Sequence, residues 1–144
     1  METLSHIDSK LFLFLNSLHV GWLDRVMTLV TDMWIWAPLY LLLIYWTVKQ
    51  YGKRWWWIVL AVAVVVLCSD QLASHICKPV FQRLRPCFNA DFQDLIHLPM
   101  GKAGGQYGFV SSHAANTSAV AVYFSMVIRK RWLTVCLILW CLLN

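Results

Sequence analysis

The sequence contains little charge, and acidic residues are especially few. Only 13% of the 144 residues are charged, with seven Asp and Glu against twelve Lys and Arg, while 60% are hydrophobic. The mean hydropathy of +0.59 lies outside the range of soluble globular domains. The composition therefore excludes an ordinary soluble domain and predicts a single membrane-embedded domain over residues 1–144.

The basic excess does not form the long tracts that are typical of nucleic-acid binding. The net charge is +5, and the basic residues form short clusters beside apolar runs. Such clusters are typical of the cytoplasmic connections of membrane proteins. We therefore predict a membrane as the partner and no nucleic acid.

Metal-binding motifs are also absent. The five cysteines form no C-x-x-C pair and no Cys/His spacing typical of zinc, so the sequence predicts no metal and no cofactor. Cys77 and Cys87 could form a disulfide if they face an oxidising compartment. Two independent thiols are the favoured interpretation.

The first 30 residues lack the charged start, long apolar stretch and cleavage site of a signal peptide. Their apolar residues are interrupted by polar ones, which predicts an amphipathic helix lying in the membrane interface, with a second short helix near residues 22–31. His6 and His19 are interpreted as interfacial polar residues.

Long apolar stretches predict an all-α, polytopic transmembrane bundle. Three complete spans are expected at about 31–49, 55–77 and 113–129. A fourth begins at Trp132 but reaches only Asn144, so we expect a C-terminally truncated bundle with about four of its spans in this chain.

The basic residues of the connections at 49–54 and 129–131 place both on the cytoplasmic side. Residues 78–108 then face the outside.

The polar chemistry of the chain is concentrated between the second and third spans. Lys78 supplies a mobile point charge and Arg85 a planar fork of donors, both suited to phosphate oxygens. Ser111 can donate its hydroxyl, and Ser112 can offer its backbone N–H at a helix start. His113 can protonate a leaving group. Together these residues predict a phosphate-handling membrane enzyme.

Asp70 is predicted to support this site without reacting. Asp70, Ser74 and Lys78 are spaced four residues apart and therefore share a helix face. An ionisable group at membrane depth usually faces the bundle interior, so Asp70 is expected to orient Lys78. His75 points away from that face and is interpreted as a structural polar contact.

The loop over residues 87–108 is predicted to be a lid or a substrate-access segment. His97 is interpreted as a solvated loop histidine. Asp91 and Asp94 have the wrong sign to hold a phosphate and are expected on a solvated face.

Each signal also has a simpler explanation. A basic pair at the end of a span most often anchors lipid headgroups, and Ser-Ser-His at a helix start most often caps the helix. Their occurrence in this order, on one side and joined by one loop, is much more specific for a shared site.

Two motifs give the chain a family resemblance. The sequence K-x6-R-P is matched in full by Lys78, Arg85 and Pro86. The sequence P-S-G-H is matched at Ser111 and His113, whereas Val and Ser replace its Pro and Gly. From about residue 30 onward the chain resembles the membrane-bound type 2 phosphatidic acid phosphatase family, which is related to vanadium haloperoxidases and bacterial acid phosphatases.

The resemblance implies a bundle of about six transmembrane helices and a metal-independent reaction through a phosphohistidine. Lys78, Arg85 and Ser111 would hold the phosphate, and His113 would protonate the leaving group. The family's third motif, S-R-x5-H-x3-D, carries the attacking histidine and is absent from these 144 residues. This chain alone is therefore expected to be inactive, with the nucleophile beyond Asn144.

The leading interpretation is a lipid phosphate or lipid diphosphate phosphatase at the outer face of a bacterial inner membrane. The resemblance leaves four substrates open: undecaprenyl diphosphate, phosphatidylglycerol phosphate, phosphatidic acid and lipid A phosphate. The alternative is a non-catalytic membrane module that binds anionic headgroups through Lys78 and Arg85.

Overall fold

A computed structural model describes residues 2–90, 95–98 and 104–143. Within these ranges the regular structure is helical and no β-strand is formed, although an isolated antiparallel bridge joins Leu84 to Tyr107. The predicted all-α class is confirmed.

The described ranges contain α-helices joined by short turns of other helical types. The α-helices are α1 (Glu2–Ser17), α2 (Gly21–Val30), α3 (Ala37–Tyr51), α4 (Trp55–Gln71), α5 (Lys78–Phe81), α6 (Ser112–Ile128) and α7 (Arg131–Leu143). Turns of 3-10 helix occupy Met33–Trp36, Gly52–Arg54 and Pro86–Phe88, and a π-helical turn over Leu72–Cys77 joins α4 to α5.

The α-helix of the first predicted span, α3, begins later than the sequence predicted. The Asp32 carboxylate accepts a hydrogen bond of 3.0 Å from the N–H of Trp34 and starts a 3-10 turn instead of an α-helix. Pro38 then lies in the first turn of α3, where its missing N–H removes no helical hydrogen bond. The α-helix therefore begins at Ala37 and not near residue 31.

Helices α3, α4, α6 and α7 pack into a bundle in which α6 contacts the other three. The core cluster of buried apolar side chains comes from α3, α6 and α7 and consists of Leu43, Val120, Ala121, Phe124, Ile128, Leu133, Leu137 and Trp140. At one end of the bundle the Tyr51 hydroxyl donates to the Val127 carbonyl at 2.8 Å, and the Tyr123 hydroxyl donates to the Ile58 carbonyl at 2.9 Å. The opposite end holds the polar residues of the site.

Within the described ranges, one helical stretch, Trp34–Phe81, is long and apolar enough to cross a membrane. It includes both α3 and α4, which Gly52 separates with a φ of +53°. Large apolar side chains such as Leu41, Leu60 and Ile138 are exposed on the outside of the bundle, as expected for lipid contact. The number of spans remains a prediction.

Helices α1 and α2 lie against the loop that joins α5 to α6. Asp8 of α1 forms an ion pair with Arg83, and the Asn16 side chain bonds to the backbone of His97. The predicted position of α1 in a membrane interface is not tested by these contacts. Cys77 and Cys87 are both free thiols, which agrees with the favoured interpretation.

Candidate active site

One half of the site is formed where α5 meets the start of α6. Lys78 Nζ donates to Ser112 Oγ at 2.8 Å, and the Ser74 and Ser112 hydroxyls lie 3.0 Å apart. All three side chains are partly buried. Because an ammonium carries three donors, this contact fixes Lys78 without using its full capacity to bind an anion.

A second polar contact lies about one helical turn deeper between α4 and α6. Asn116 Nδ2 donates to Asp70 Oδ1 at 3.3 Å. The hydroxyl that contacts Lys78 belongs to Ser112, and the supporting role predicted for Asp70 stays a prediction. Sequence reasoning missed Asn116, although its spacing of four residues from Ser112 places both on one face of α6.

Arg85 is held by the segment that precedes α6. Its N–H donates to the Gln106 carbonyl at 2.9 Å, and the Gly108 N–H donates to the Arg83 carbonyl at 2.9 Å. Arg85 Nε also reaches the Tyr107 carbonyl at 3.4 Å. These bonds bring the first motif beside the start of the second.

The Arg85 side chain lies against two glycines, Gly104 and Gly108. A Cβ added at Gly108 would lie 2.9 Å from Arg85 Cγ, and one added at Gly104 would overlap the guanidinium. Gly105, between them, has open space at its Cβ position. The loop therefore accommodates the extended Arg85 side chain because residues 104 and 108 have no side chains.

Arg85 and Ser111 line a cleft of about 360 Å³. Its other lining residues include Phe12 of α1 and, from the loop, Ile96 and Leu98. Ser111 is the N-cap of α6, since its Oγ accepts a hydrogen bond of 3.3 Å from the Ala114 N–H. A capping hydroxyl accepts with its oxygen, so its own proton can still be donated to an anion.

The start of α6 thus joins the two halves of the site. Ser112 contacts Lys78, and the adjacent Ser111 shares the cleft with Arg85. His113 follows in the first turn, with an exposed side chain and a carbonyl that accepts the Thr117 hydroxyl at 3.0 Å. We expect Lys78, Arg85, Ser111 and His113 to converge within the width of one phosphate, and this convergence remains a prediction.

His97 is not the solvated loop residue that the sequence suggested. Its Nε2 lies 2.8 Å from Asp24 Oδ2, and its ring stacks on His19 with centroids 3.9 Å apart. Because 73 and 81 residues separate His97 from Asp24 and Asn16, no local pattern could have predicted these contacts. Asp91 and Asp94 lie outside the described residues.

The residues of the two motifs lie together around the start of α6, and both motifs are those expected of the type 2 phosphatidic acid phosphatases. The PAP2 superfamily model matches residues 54–144, and the chain belongs to this superfamily.

Two relatives are both named lipid A 4'-phosphatase. The protein from Bacteroides thetaiotaomicron is 35% identical over 146 aligned positions, which cover 100% of this chain and 65% of the relative. The protein from Porphyromonas gingivalis is 34% identical over 135 positions, which cover 93% of this chain and 57% of the relative. The chain therefore spans less than two thirds of the length of these relatives. No solved structure matches it.

Proposed function

We propose that the protein takes part in the hydrolysis of a phosphate ester of a membrane lipid, with the 4'-phosphate of lipid A as the first candidate. The observation that carries this proposal is the contact of Lys78 with Ser112, next to the cleft that Arg85 and Ser111 both line. The choice of lipid A rests on the two similar proteins that carry that name.

The side chains of Lys78, Arg85, Ser111 and His113 each have a role in this reaction that follows from their chemistry. Phosphoryl transfer spreads negative charge over the equatorial oxygens, so fixed donors stabilise its transition state. Lys78, Arg85 and Ser111 hold these oxygens. When the bond from phosphorus to the ester oxygen breaks, His113 gives its proton to the departing oxygen.

The attacking group in this scheme is the histidine of the family's third motif. Its ring nitrogen forms the bond to phosphorus, and water later cleaves the resulting phosphohistidine to release inorganic phosphate. These steps need no divalent metal. The motif is absent from the 144 residues, so we expect turnover only from a chain that also carries it.

The cations Lys78 and Arg85 also allow a second candidate function. A module with Lys78 and Arg85 but no attacking histidine would bind anionic lipid headgroups without turnover. Binding without phosphate release, even from a chain that carries the third motif, would favour this second function.

We further propose a multi-pass arrangement in a bacterial inner membrane with the site facing outward. The exposed apolar faces of the bundle and the basic clusters at 49–54 and 129–131 support it. Reporter fusions at Gln50 and at Gln93, which lies outside the described residues, should report opposite sides of the membrane. The same side for both would contradict the arrangement.

The catalytic proposal is tested by phosphate release from lipid A in membranes that contain a chain carrying the third motif. His113→Ala should lower the rate by about 10²–10⁴-fold, because the leaving oxygen loses its proton donor. His75→Ala is the matched control, since His75 is exposed on the π-helical turn, and should leave the rate unchanged. A chelator of divalent metals should have no effect. An enzyme that is indifferent to His113→Ala would contradict the assignment.

A further inference from the structure

One face of α1 borders the cleft that Arg85 and Ser111 line. Asp8, Phe12 and Asn16 are spaced four residues apart and so share a face of the helix. Asp8 pairs with Arg83, which lies inside the first motif, and Asn16 bonds to His97 of the loop. Phe12, between these two attachments, lines the cleft that also contains Arg85.

The attachment at Asn16 fixes the wall of the cleft. Its amide Nδ2 donates to the His97 carbonyl at 3.0 Å, and its Oδ1 accepts from the His97 N–H at 2.8 Å. This pair holds both backbone groups of His97, while Asp24 holds the ring at 2.8 Å. Ile96 and Leu98, which flank His97, line the same cleft as Phe12, and the bonds to His97 hold them there.

The cleft has both polar and apolar lining residues. Arg85 and Ser111 supply donors suited to a phosphate, whereas Phe12, Ile96 and Leu98 supply apolar surface. A free phosphate would use only the first group, because it has no apolar surface to bury. A phosphate joined to a lipid would use both, since its C–H groups gain free energy when they leave water.

We propose that Phe12 is a specificity-determining residue whose ring contacts the C–H surface of the phosphorylated lipid next to its phosphate. This inference rests on the proposed function, because it takes a lipid phosphate to be the ligand. Helix α1 therefore forms part of the substrate site, and the contacts of Asp8 and Asn16 set the position of the ring.

The test compares two ligands on the detergent-solubilised 144-residue chain. Calorimetry measures the affinity for dihexanoyl phosphatidic acid, a soluble lipid phosphate, and for inorganic phosphate. Phe12→Ala should weaken binding of the lipid phosphate about tenfold or more, because the apolar contact is lost. Its affinity for inorganic phosphate should stay within about twofold of the original, which also shows that the variant is folded.

Phe14→Ala is the matched control. Phe14 lies on the same helix, points away from the Phe12 face and is 61% exposed. It should leave both affinities unchanged, and Phe12→Leu should retain most of the affinity for the lipid phosphate.

Three results would count against the inference. Unchanged affinity of Phe12→Ala for the lipid phosphate would overturn the role of Phe12 alone, and so would an equal loss for both ligands, since the residue would then be structural. If the unsubstituted chain bound neither the lipid phosphate nor inorganic phosphate, the proposed function would be overturned, and the role of Phe12 with it.

Discussion

The two halves of the candidate site are built in different ways. In the helical half, Ser74 and Lys78 meet Ser112, and Asp70 meets Asn116, through helices that pack along their length. The loop half comprises Arg85, residues 95–98 and 104–111, and the helices α1 and α2. Its attachments are ion pairs and a few hydrogen bonds, without helices packed along their length. The helical half is therefore expected to be the more rigid of the two.

The ion pair of the loop half between Asp8 and Arg83 is also more exposed to solvent than the contacts of the helical half, which supports the expected difference in rigidity. The Asp8 and Arg83 side chains are 55% and 57% exposed, and exposed ion pairs contribute at most about 1 kcal/mol. The contacts that Lys78 of α5 and Asp70 of α4 make with α6 are partly buried, where loss of a partner costs about 1–3 kcal/mol. We therefore expect substitutions in the loop half to change substrate binding more through position than through stability.

The largest effects should come from the two cations, one in each half. Lys78→Ala and Arg85→Ala should each weaken inorganic phosphate binding by about 10- to 100-fold, because each removes charged hydrogen bonds worth about 1.5–3 kcal/mol. Lys53→Ala, an exposed basic residue in the Gly52–Arg54 turn, is the control. An Arg85→Ala variant with normal affinity would show that the loop half is not part of the site.

A smaller effect is expected from crowding Arg85. The Cβ of Gly108→Ala would lie 2.9 Å from Arg85 Cγ, so the arginine or the loop must shift, and we expect phosphate affinity to fall by about tenfold. Gly105→Ala introduces the same methyl group into open space and should leave calorimetric affinity unchanged. Equal behaviour of the two variants would mean that the position of Arg85 is not critical.

Removal of the hydroxyl that contacts Lys78 should cost less. Ser112→Ala removes the hydroxyl that contacts both Lys78 and Ser74. Because Lys78 keeps its charge, we expect only about a fivefold loss in phosphate affinity, which corresponds to about 1 kcal/mol. Ser125→Ala, near the other end of α6, provides the comparison and should have no effect. A loss as large as that of Lys78→Ala would instead show that Ser112 itself binds the anion.

The smallest change in phosphate affinity is expected from the attachment of the loop to α1. Asn16→Ala removes both bonds to the His97 backbone but touches no donor in the cleft, so inorganic phosphate affinity should change by less than about threefold. Hydrogen exchange at the His97 amide should become faster. The Arg85 amide, bonded to Gln106 at 2.9 Å, should remain protected. Faster exchange at both amides would show that the loop half opens as one unit.

The sequence alone determined the helical class and most helix ends. Apolar runs predicted α3, α4 and α6 to within a few residues at most ends, because the signals for a helix lie within the helix and its cap. Ser111 was expected near the start of α6 and is its N-cap. The paired motifs likewise identified the family, since residue type and spacing alone define K-x6-R-P.

Only the tertiary structure decided which side chains meet. Lys78 and Ser112 are 34 residues apart, and Asn116 and Asp70 are 46 apart, so their contacts depend on how α4 packs against α6. The same holds for His97, whose contacts with α1 and α2 cross most of the chain. A hydrogen bond forms over about 3 Å of space regardless of sequence separation, and local patterns carry no record of which distant segment will fill that space.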